Sequence, residues 1–320
     1  MLDSRARILL TGSTGQVGGD LLRRLPVGPV IAPGRSDLDL RDPESIKTFI
    51  RRVKPDWIIN PAAYTAVDKA EGEPELAYAI NADAPRAMGE AAAELGIPVI
   101  HFSTDYVFDG SGTRPWVEDD LTGPLGVYGA SKLAGERALA QSGAVHLIFR
   151  TSWVYSSRGK NFLRTILHLA QERPELRIVD DQHGAPTWSH DLAELVVQVM
   201  DKIAERGTLN SVSVEDAVRA VQGVYHSSDS GETTWFGFAT EFLRLTAAAR
   251  PAMKLARLVP IESSEYPTPA KRPSNSRLDC SRLRAVFGFT MPAWEESTAS
   301  VIAEILTGDS VTVSFPSTPR

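Results

Sequence analysis

Tyr128 and Lys132 stand four residues apart in Tyr128-Gly129-Ala130-Ser131-Lys132, a spacing that puts a phenol and an ammonium on one face of a helix. The two groups suit the reduction of a ketone, in which a hydride reaches the carbonyl carbon while the oxygen takes up a proton. A phenol with an ordinary pKa of about 10 is a poor acid at neutral pH. A lysine cation beside it favours phenolate and brings the acid toward the working range. Upstream, Phe102-Ser103-Thr104-Asp105-Tyr106 supplies the Thr104 hydroxyl, a second donor for the carbonyl oxygen where negative charge develops.

Such groups work only if something rigid brings them to one edge, and the first half of the chain has the pattern for it. Apolar runs at 7–12, 30–32, 56–60, 97–102 and 145–150 read as strands. Between them, helices are expected over 15–25, from Asp42-Pro43 to about 53, over 75–95 and over 126–141. Asp42 is a capping side chain placed before a proline at the first helical position, and Gly96 ends the third helix. Continuous apolar strands separated by helices indicate a parallel sheet covered on both faces. That is the doubly wound α/β arrangement, whose ligands bind at the carboxyl ends of the strands. Thr104 ends the fourth strand and Tyr128 opens the following helix, so both fall at that edge.

The second half is less regular. Helices are expected over 161–171 and 189–203, with a short strand over 176–179 between them. Proline and glycine become denser after Pro251, which points to a smaller, loop-rich substrate domain. This divides the chain into a nucleotide-binding domain over 1–155, joined by segments after 188, and a mainly substrate-binding domain over 156–320. The stretch 207–222 reads as a surface insertion, and the residues after 307 as a tail.

The first strand runs into Thr11-Gly12-Ser13-Thr14-Gly15-Gln16-Val17-Gly18, three glycines spaced as in a dinucleotide-binding Rossmann turn. Glycines let the backbone turn tightly and approach a pyrophosphate, whose charge the amides at the helix N-terminus meet. After the second strand an NAD-selective site carries a carboxylate for the ribose hydroxyls. Here that stretch is Ala32-Pro33-Gly34-Arg35-Ser36. Arg35 and Ser36 suit a 2′-phosphate, so the expected reductant is NADPH, with NADH as the alternative.

Composition narrows the remaining classes. A formal net charge of −6 gives no general attraction to nucleic acid or to anionic membranes. A single cysteine, Cys280, rules out an intrachain disulfide framework and a cysteine-based zinc site. No charged leader with a cleavage site is recognisable, and no apolar run approaches the roughly 20 residues that span a bilayer. The expectation is a cytoplasmic enzyme.

On these residues the sequence resembles the dTDP-4-dehydrorhamnose reductases, a family of extended short-chain dehydrogenases. The segments that carry the likeness are 12–18, 60–71, 103–110, 128–132, 149–155, 180–187, 266–273 and Asn275-Ser276. The resemblance implies reduction of the 4-keto group of a dTDP-6-deoxy-4-ketohexose, with Thr104, Tyr128 and Lys132 as the catalytic set. Lys132 would also hold the nicotinamide ribose. Gly12, Thr14, Gly15, Gln16, Val17, Gly18, Arg35, Ser36, Asp39, Leu40, Ala62, Ala63 and Tyr64 would surround the cofactor. Asp105, Tyr106 and Trp153 would line the sugar pocket, and Asn161, Gln182, Pro186, Arg272 and Asn275 would lie near the diphosphate. A guanidinium such as that of Arg272 suits a diphosphate on physical grounds. Some relatives hold magnesium between subunits through glutamates. This chain has Asp20 at the first such position and His190-Asp191 near the second, so no metal is carried over and the choice of monomer or homodimer stays open.

Two rivals are weaker. A sugar-nucleotide dehydratase of this type carries glutamate after Ser103-Thr104-Asp105, where this chain has Tyr106, and an epimerase keeps a tightly held NAD. A non-catalytic, NADP-binding regulatory subunit would be free to lose the tyrosine or the lysine, and both are present.

Overall fold

The structure, a computed structural model, describes residues 5–25 and 28–308. Six parallel strands form the main sheet. β1 (Ile8–Leu10), α1 (Gln16–Arg24), β2 (Val30–Ile31), α2 (Pro43–Val53) and β3 (Trp57–Asn60) open the chain. The short helices α3 (Val67–Ala70) and α4 (Pro74–Tyr78), then α5 (Ala84–Leu95), lead into β4 (Val99–Thr104). α6 (Val127–Gln141) and β5 (His146–Thr151) follow. Next come β6 (Val154–Tyr155), α7 (Phe162–Glu172), β7 (Glu175–Val179), β8 (His183–Gly184), β9 (Thr187–Trp188), α8 (Ser189–Asn210) and α9 (Val214–Arg219). β10 (Gly223–His226) completes the sheet, in the order β10-β5-β4-β3-β1-β2. The doubly wound expectation is met: the chain winds one way from β1 to β2 and the other way from β3 onward. Both Thr11, after β1, and Asn60, at the end of β3, stand at the crevice this reversal opens.

Side-chain alternation along each strand builds a core on each face. Ile8, Leu10, Trp57, Ile59, Ile100, Phe102, Leu147 and Phe149 pack against α1 and α8 on one side. Leu9, Ile58, Val99 and Ile148 pack against α2, α5 and α6 on the other. A separate apolar core joins α7 and β7 to α10 (Trp235–Ala249), which follows β11 (Thr233–Thr234), and to α12 (Trp294–Gly308). β12 (Arg257–Ile261) pairs in parallel with β7 beside this core. α11 (Ser281–Phe287) returns to the large sheet through Leu283 and Phe287.

Two expectations change in detail. The single helix over 75–95 is broken by a π-helical turn at Ala79–Asp83. Pro85 is the cause, because it lacks an amide hydrogen and its ring crowds the carbonyl four residues back, that of Asn81. The stretch 207–222 holds the end of α8 and all of α9, and Ala217, Val218 and Val221 are buried under the sheet. It is the connection that delivers the last strand, anchored by those buried residues while most of its other positions lie on the surface. The tail expected after 307 lies outside the described residues from 309 on. No helix among the described residues is long and apolar enough to cross a membrane.

Candidate active site

The helix α6 is set by contacts that leave little freedom. Gly129 has no room for a side chain, since a Cβ there would lie 2.1 Å from the Tyr106 carbonyl oxygen. Arg150 of β5 and Glu136 of α6 form a buried two-pronged ion pair, with N···O distances of 2.9 and 2.7 Å. Losing one partner of such a pair leaves a buried charge uncompensated, at a cost of about 3–5 kcal/mol. The N-cap of α6 is Gly126, which offers no side chain, and Glu71 reaches in to accept from the Val127 amide at 2.8 Å.

Asn81, on the π turn, ties three segments together. Its side chain accepts from the Tyr64 amide at 2.8 Å and donates to the Tyr64 carbonyl at 3.1 Å and to Ser131 Oγ at 3.0 Å. The turn therefore joins the loop after β3 to the helix carrying Tyr128.

Thr104, Tyr128, Asp105 and Tyr106 meet at the end of β4. The Tyr128 phenol lies near enough to Thr104 for the threonine side chain to oppose the rise that burial gives its pKa. Thr104 Oγ1 donates to Asp105 Oδ1 at 2.9 Å and accepts from the Tyr106 amide at 3.2 Å. The rings of Tyr106 and Tyr128 meet edge to face, centroids 5.5 Å apart. Asp105 is buried, and its Oδ2 has no hydrogen-bond partner among the described residues. Burial pushes its carboxyl up to about 6.

Lys132 is buried one helical turn from Tyr128, and burial brings its ammonium down to about 8. It donates to the Phe102 carbonyl at 2.6 Å and lies 3.4 Å from His101 Nε2. The expected depression of the tyrosine is therefore not what the geometry gives. Burial raises Tyr128 to about 12, the nearby Thr104 side chain opposes that rise, and the lysine is turned to the Phe102 carbonyl.

At the phosphate turn, Gly12 has φ +57° and packs on Ala62, while a Cβ at Gly18 would fall 2.1 Å from the Gly12 carbonyl oxygen. α1 begins at Gly15 with no side-chain cap and no acidic residue in its first turn, so its leading amides are open to an anion. Thr14, Gln16 and Val17 lie along this turn. Gln16 Oε1 accepts from Asn161 Nδ2 at 2.9 Å, which places Asn161 beside the turn rather than beside the sugar-side residues. Arg35 and Ser36 are exposed after β2. Asp39 is held by Arg41, which lowers its carboxyl to about 2, and Leu40 follows it, half-buried. Ala62 packs on the turn at Gly12, Ala63 and Tyr64 follow it in the chain, and the Tyr64 hydroxyl is directed to Glu73 at 2.5 Å.

On the far wall, Trp153 adopts φ +48°, a left-handed conformation costly for a bulky side chain, and stacks on Trp235 with centroids 3.8 Å apart. Trp235 also donates from Nε1 to Gln182 Oε1 at 3.1 Å, and Gln182 donates to Ser263 Oγ at 2.8 Å. Pro186 is buried between β8 and β9. Arg272 is not a free guanidinium. It is paired with Asp68 through Nη1 at 3.0 Å and Nη2 at 2.8 Å, which lowers the Asp68 carboxyl. Asn275 is buried and donates to the Ser111 and Arg114 carbonyls at 3.3 and 2.9 Å, so its amide is spent on a loop. Asp20, the position raised for magnesium, is bound to Arg23 and to Ser189. The sequence reading missed Glu71, Asn81, His101 and Trp235, whose roles depend on partners distant in the chain. A surface groove of about 950 Å³ at the opposite end of the sheet, lined by Arg5, Asp56, Leu95 and Glu215 among others, contains none of the expected site residues.

The family model described as "RmlD substrate binding domain" matches residues 6–307. A dTDP-4-dehydrorhamnose reductase of Escherichia coli K12 is 44% identical over 305 residues, covering 94% of this chain and 98% of that one. One from Burkholderia thailandensis is 42% identical over 307 residues, covering 94% and 99%. Among solved structures, a dTDP-4-dehydrorhamnose reductase of Clostridium acetobutylicum superposes with a TM-score of 0.83 at 34% identity, covering 94% of this chain and 99% of that one. The corresponding enzyme of Bacillus anthracis, solved in complex with NADP, gives 0.82 at 31% identity with the same coverage. The chain belongs to the family of dTDP-4-dehydrorhamnose reductases.

Proposed function

We propose that this chain reduces the 4-keto group of dTDP-4-dehydro-6-deoxy-L-mannose with NADPH, giving dTDP-L-rhamnose. The observation that carries the reading is the gathering of Thr104, Asp105, Tyr106 and Tyr128 at the carboxyl edge of the sheet, the two tyrosine rings edge to face at 5.5 Å, with Lys132 one helical turn from Tyr128 and the open amides of α1 across the crevice. A relative 31% identical was solved with NADP, which supports the cofactor.

The residues present fit a dinucleotide. The turn from Gly12 to Gly18 would receive the pyrophosphate, Arg35 and Ser36 the 2′-phosphate, Ala62 to Tyr64 the middle of the molecule, and Lys132 the nicotinamide ribose. Bound there, the cofactor supplies the hydride. Tyr128 then gives its phenolic proton to the oxygen that becomes the alcohol. Thr104 turns its one hydroxyl hydrogen from Asp105 to the same oxygen and stabilises the charge that develops on it. With its carboxyl at about 6, Asp105 is mostly ionised at neutral pH, and its unpartnered Oδ2 is suited to accept from a sugar hydroxyl. Tyr106 and the stacked Trp153 wall the sugar, and Trp235 supports that wall from behind. Arg272 reaches the diphosphate by exchanging Asp68 for phosphate oxygens, two carboxylate bonds for two of the same geometry.

The test is NADPH oxidation followed at 340 nm with dTDP-4-keto-6-deoxy-L-mannose generated by coupled enzymes, the product being identified as dTDP-L-rhamnose. The reading expects turnover in the ordinary enzymatic range of about 1–1000 per second. A folded, NADPH-binding protein that leaves this ketosugar untouched would refute the assignment.

A further inference from the structure

Behind Lys132 lies a row of buried polar side chains that the reaction just described does not use. Lys132 Nζ is 3.4 Å from His101 Nε2, and His101 Nδ1 is 3.1 Å from Asn60 Nδ2. Asn60 Oδ1 is in turn 2.5 Å from Thr11 Oγ1. His101 and Asn60 are at most 1% exposed, and Thr11 and Lys132 are 2% exposed. The row crosses three neighbouring strands, β4, β3 and the end of β1, and finishes on the residue before Gly12. A parallel-sheet core has no use for so many polar groups unless each is satisfied and placed for a purpose.

The hydrogen-bond bookkeeping fixes what the ring does. Burial, with the Lys132 charge beside it, keeps His101 far below the usual histidine range, so the ring is neutral and carries one hydrogen. An ammonium can only donate, so Nε2 must be the acceptor and Nδ1 must hold the hydrogen. Nδ1 then donates to the Asn60 carboxamide oxygen, which requires the Asn60 amide in the half-turned orientation, its NH₂ toward Thr11 Oγ1. In that arrangement the three hydrogen bonds of the row all point the same way, from Lys132 to Thr11, the last of them accepted by Thr11 Oγ1.

We propose that His101 is a positioning residue for Lys132, a neutral imidazole whose Nε2 holds the ammonium in place and whose Nδ1 is fixed, through Asn60, to the start of the phosphate turn. The Phe102 carbonyl takes a second ammonium hydrogen, leaving the third for the nicotinamide ribose. Two rigid supports on one flexible side chain are what set the third bond's direction, and a misplacement of about 1 Å can cost on the order of 100-fold in rate. The row also links the two ends of the cofactor site, since Lys132 and Thr11 cannot shift independently. The inference rests on the placement of Lys132 in the cofactor site given under the proposed function.

The test compares His101→Gln, whose amide can put an acceptor oxygen where Nε2 stands, with His101→Phe, which keeps a ring and removes both polar atoms. Each variant is measured for thermal midpoint, for NADPH affinity by fluorescence titration without substrate, and for kcat. His101→Phe is expected to bind NADPH and turn over roughly 10- to 100-fold less well than wild type, and His101→Gln to stay within about threefold of it. Should His101→Phe fail to fold, His101→Asn withdraws the Nε2 acceptor while keeping the Asn60 side, and the same loss is expected. A folded His101→Phe or His101→Asn with wild-type NADPH affinity and kcat overturns the proposal. So does a His101→Gln protein as impaired as His101→Phe. Because the NADPH titration needs no ketosugar, it still judges His101 if wild type proves inactive on the proposed substrate.

Discussion

Glu71 caps a helix to which it does not belong: its Oε1 accepts a 2.8 Å hydrogen bond from the amide of Val127, the first residue of α6. Gly126 makes the reach possible, because a Cβ there would lie 2.5 Å from that same oxygen. Asp68, on the same short segment, holds Arg272. One loop therefore grips both the helix that carries Tyr128 and an arginine expected to meet the diphosphate.

Replacing Glu71 by alanine removes the cap, and about 1 kcal/mol of stability should go with it. The larger effect is expected on kcat, through a loosened first turn that holds Tyr128, with NADPH affinity little changed. Glu71→Gln keeps an acceptor oxygen and should recover most of kcat. Thermal melts and steady-state kinetics on the two variants decide it, and equal kcat in Glu71→Ala and wild type would count against a positioning role.

Asp105 gives the site a pH dependence with a defined sign. Burial raises its folded-state carboxyl from 3.8 to about 6, so between these values the folded protein binds more protons than the unfolded chain. Stability tied to this group is full below the unfolded value and falls as pH rises toward 6, by on the order of 2–3 kcal/mol. Asp105→Asn should therefore melt higher than wild type at pH 8 and gain nothing at pH 4. Substrate binding should show the opposite trend. The KM for the ketosugar should rise in wild type as pH drops below about 6, and Asp105→Asn should lack that inflection.

On the proposed function, the choice of nucleotide is assigned to Arg35. It is exposed after β2, in a stretch with no carboxylate before Asp37, and Asp37 itself is turned back to accept from the Gly34 amide at 3.2 Å. Arg35→Ala should weaken NADPH binding by roughly tenfold, the worth of one charge-assisted contact, while leaving NADH affinity within error. Parallel fluorescence titrations with the two nucleotides would show this. An equal loss for both would place Arg35 away from the 2′-phosphate.

Much of this was legible in the residues. Continuous apolar runs alternating with helical stretches, with Asp42-Pro43 and Gly96 as punctuation, indicated the sheet and its flanking helices, because those signals are local. The same holds for the glycine turn and for Tyr128 and Lys132, which lie close together in the chain. What escaped depends on long-range contacts. Nothing near Arg272 announces that Asp68, some two hundred residues earlier, has claimed it, and nothing near Trp153 announces Trp235. The phenol of Tyr128 was misjudged because residue types show which charges can meet but not how deeply they are buried, and here burial is the largest influence. Pro85 was visible, yet its effect, a π turn that aims Asn81 at Tyr64 and Ser131, needed the neighbouring helix to give it meaning.

The central claim is that Tyr128 is the proton donor of a ketosugar reduction. Its most direct measurement is single-turnover NADPH oxidation with dTDP-4-keto-6-deoxy-L-mannose by wild type and by Tyr128→Phe, both first shown to bind NADPH. The account predicts a loss of at least about 100-fold in the chemical step for Tyr128→Phe, the usual worth of a positioned acid, with cofactor affinity kept. A Tyr128→Phe protein that turns over at the wild-type rate would contradict it and move the proton donor elsewhere.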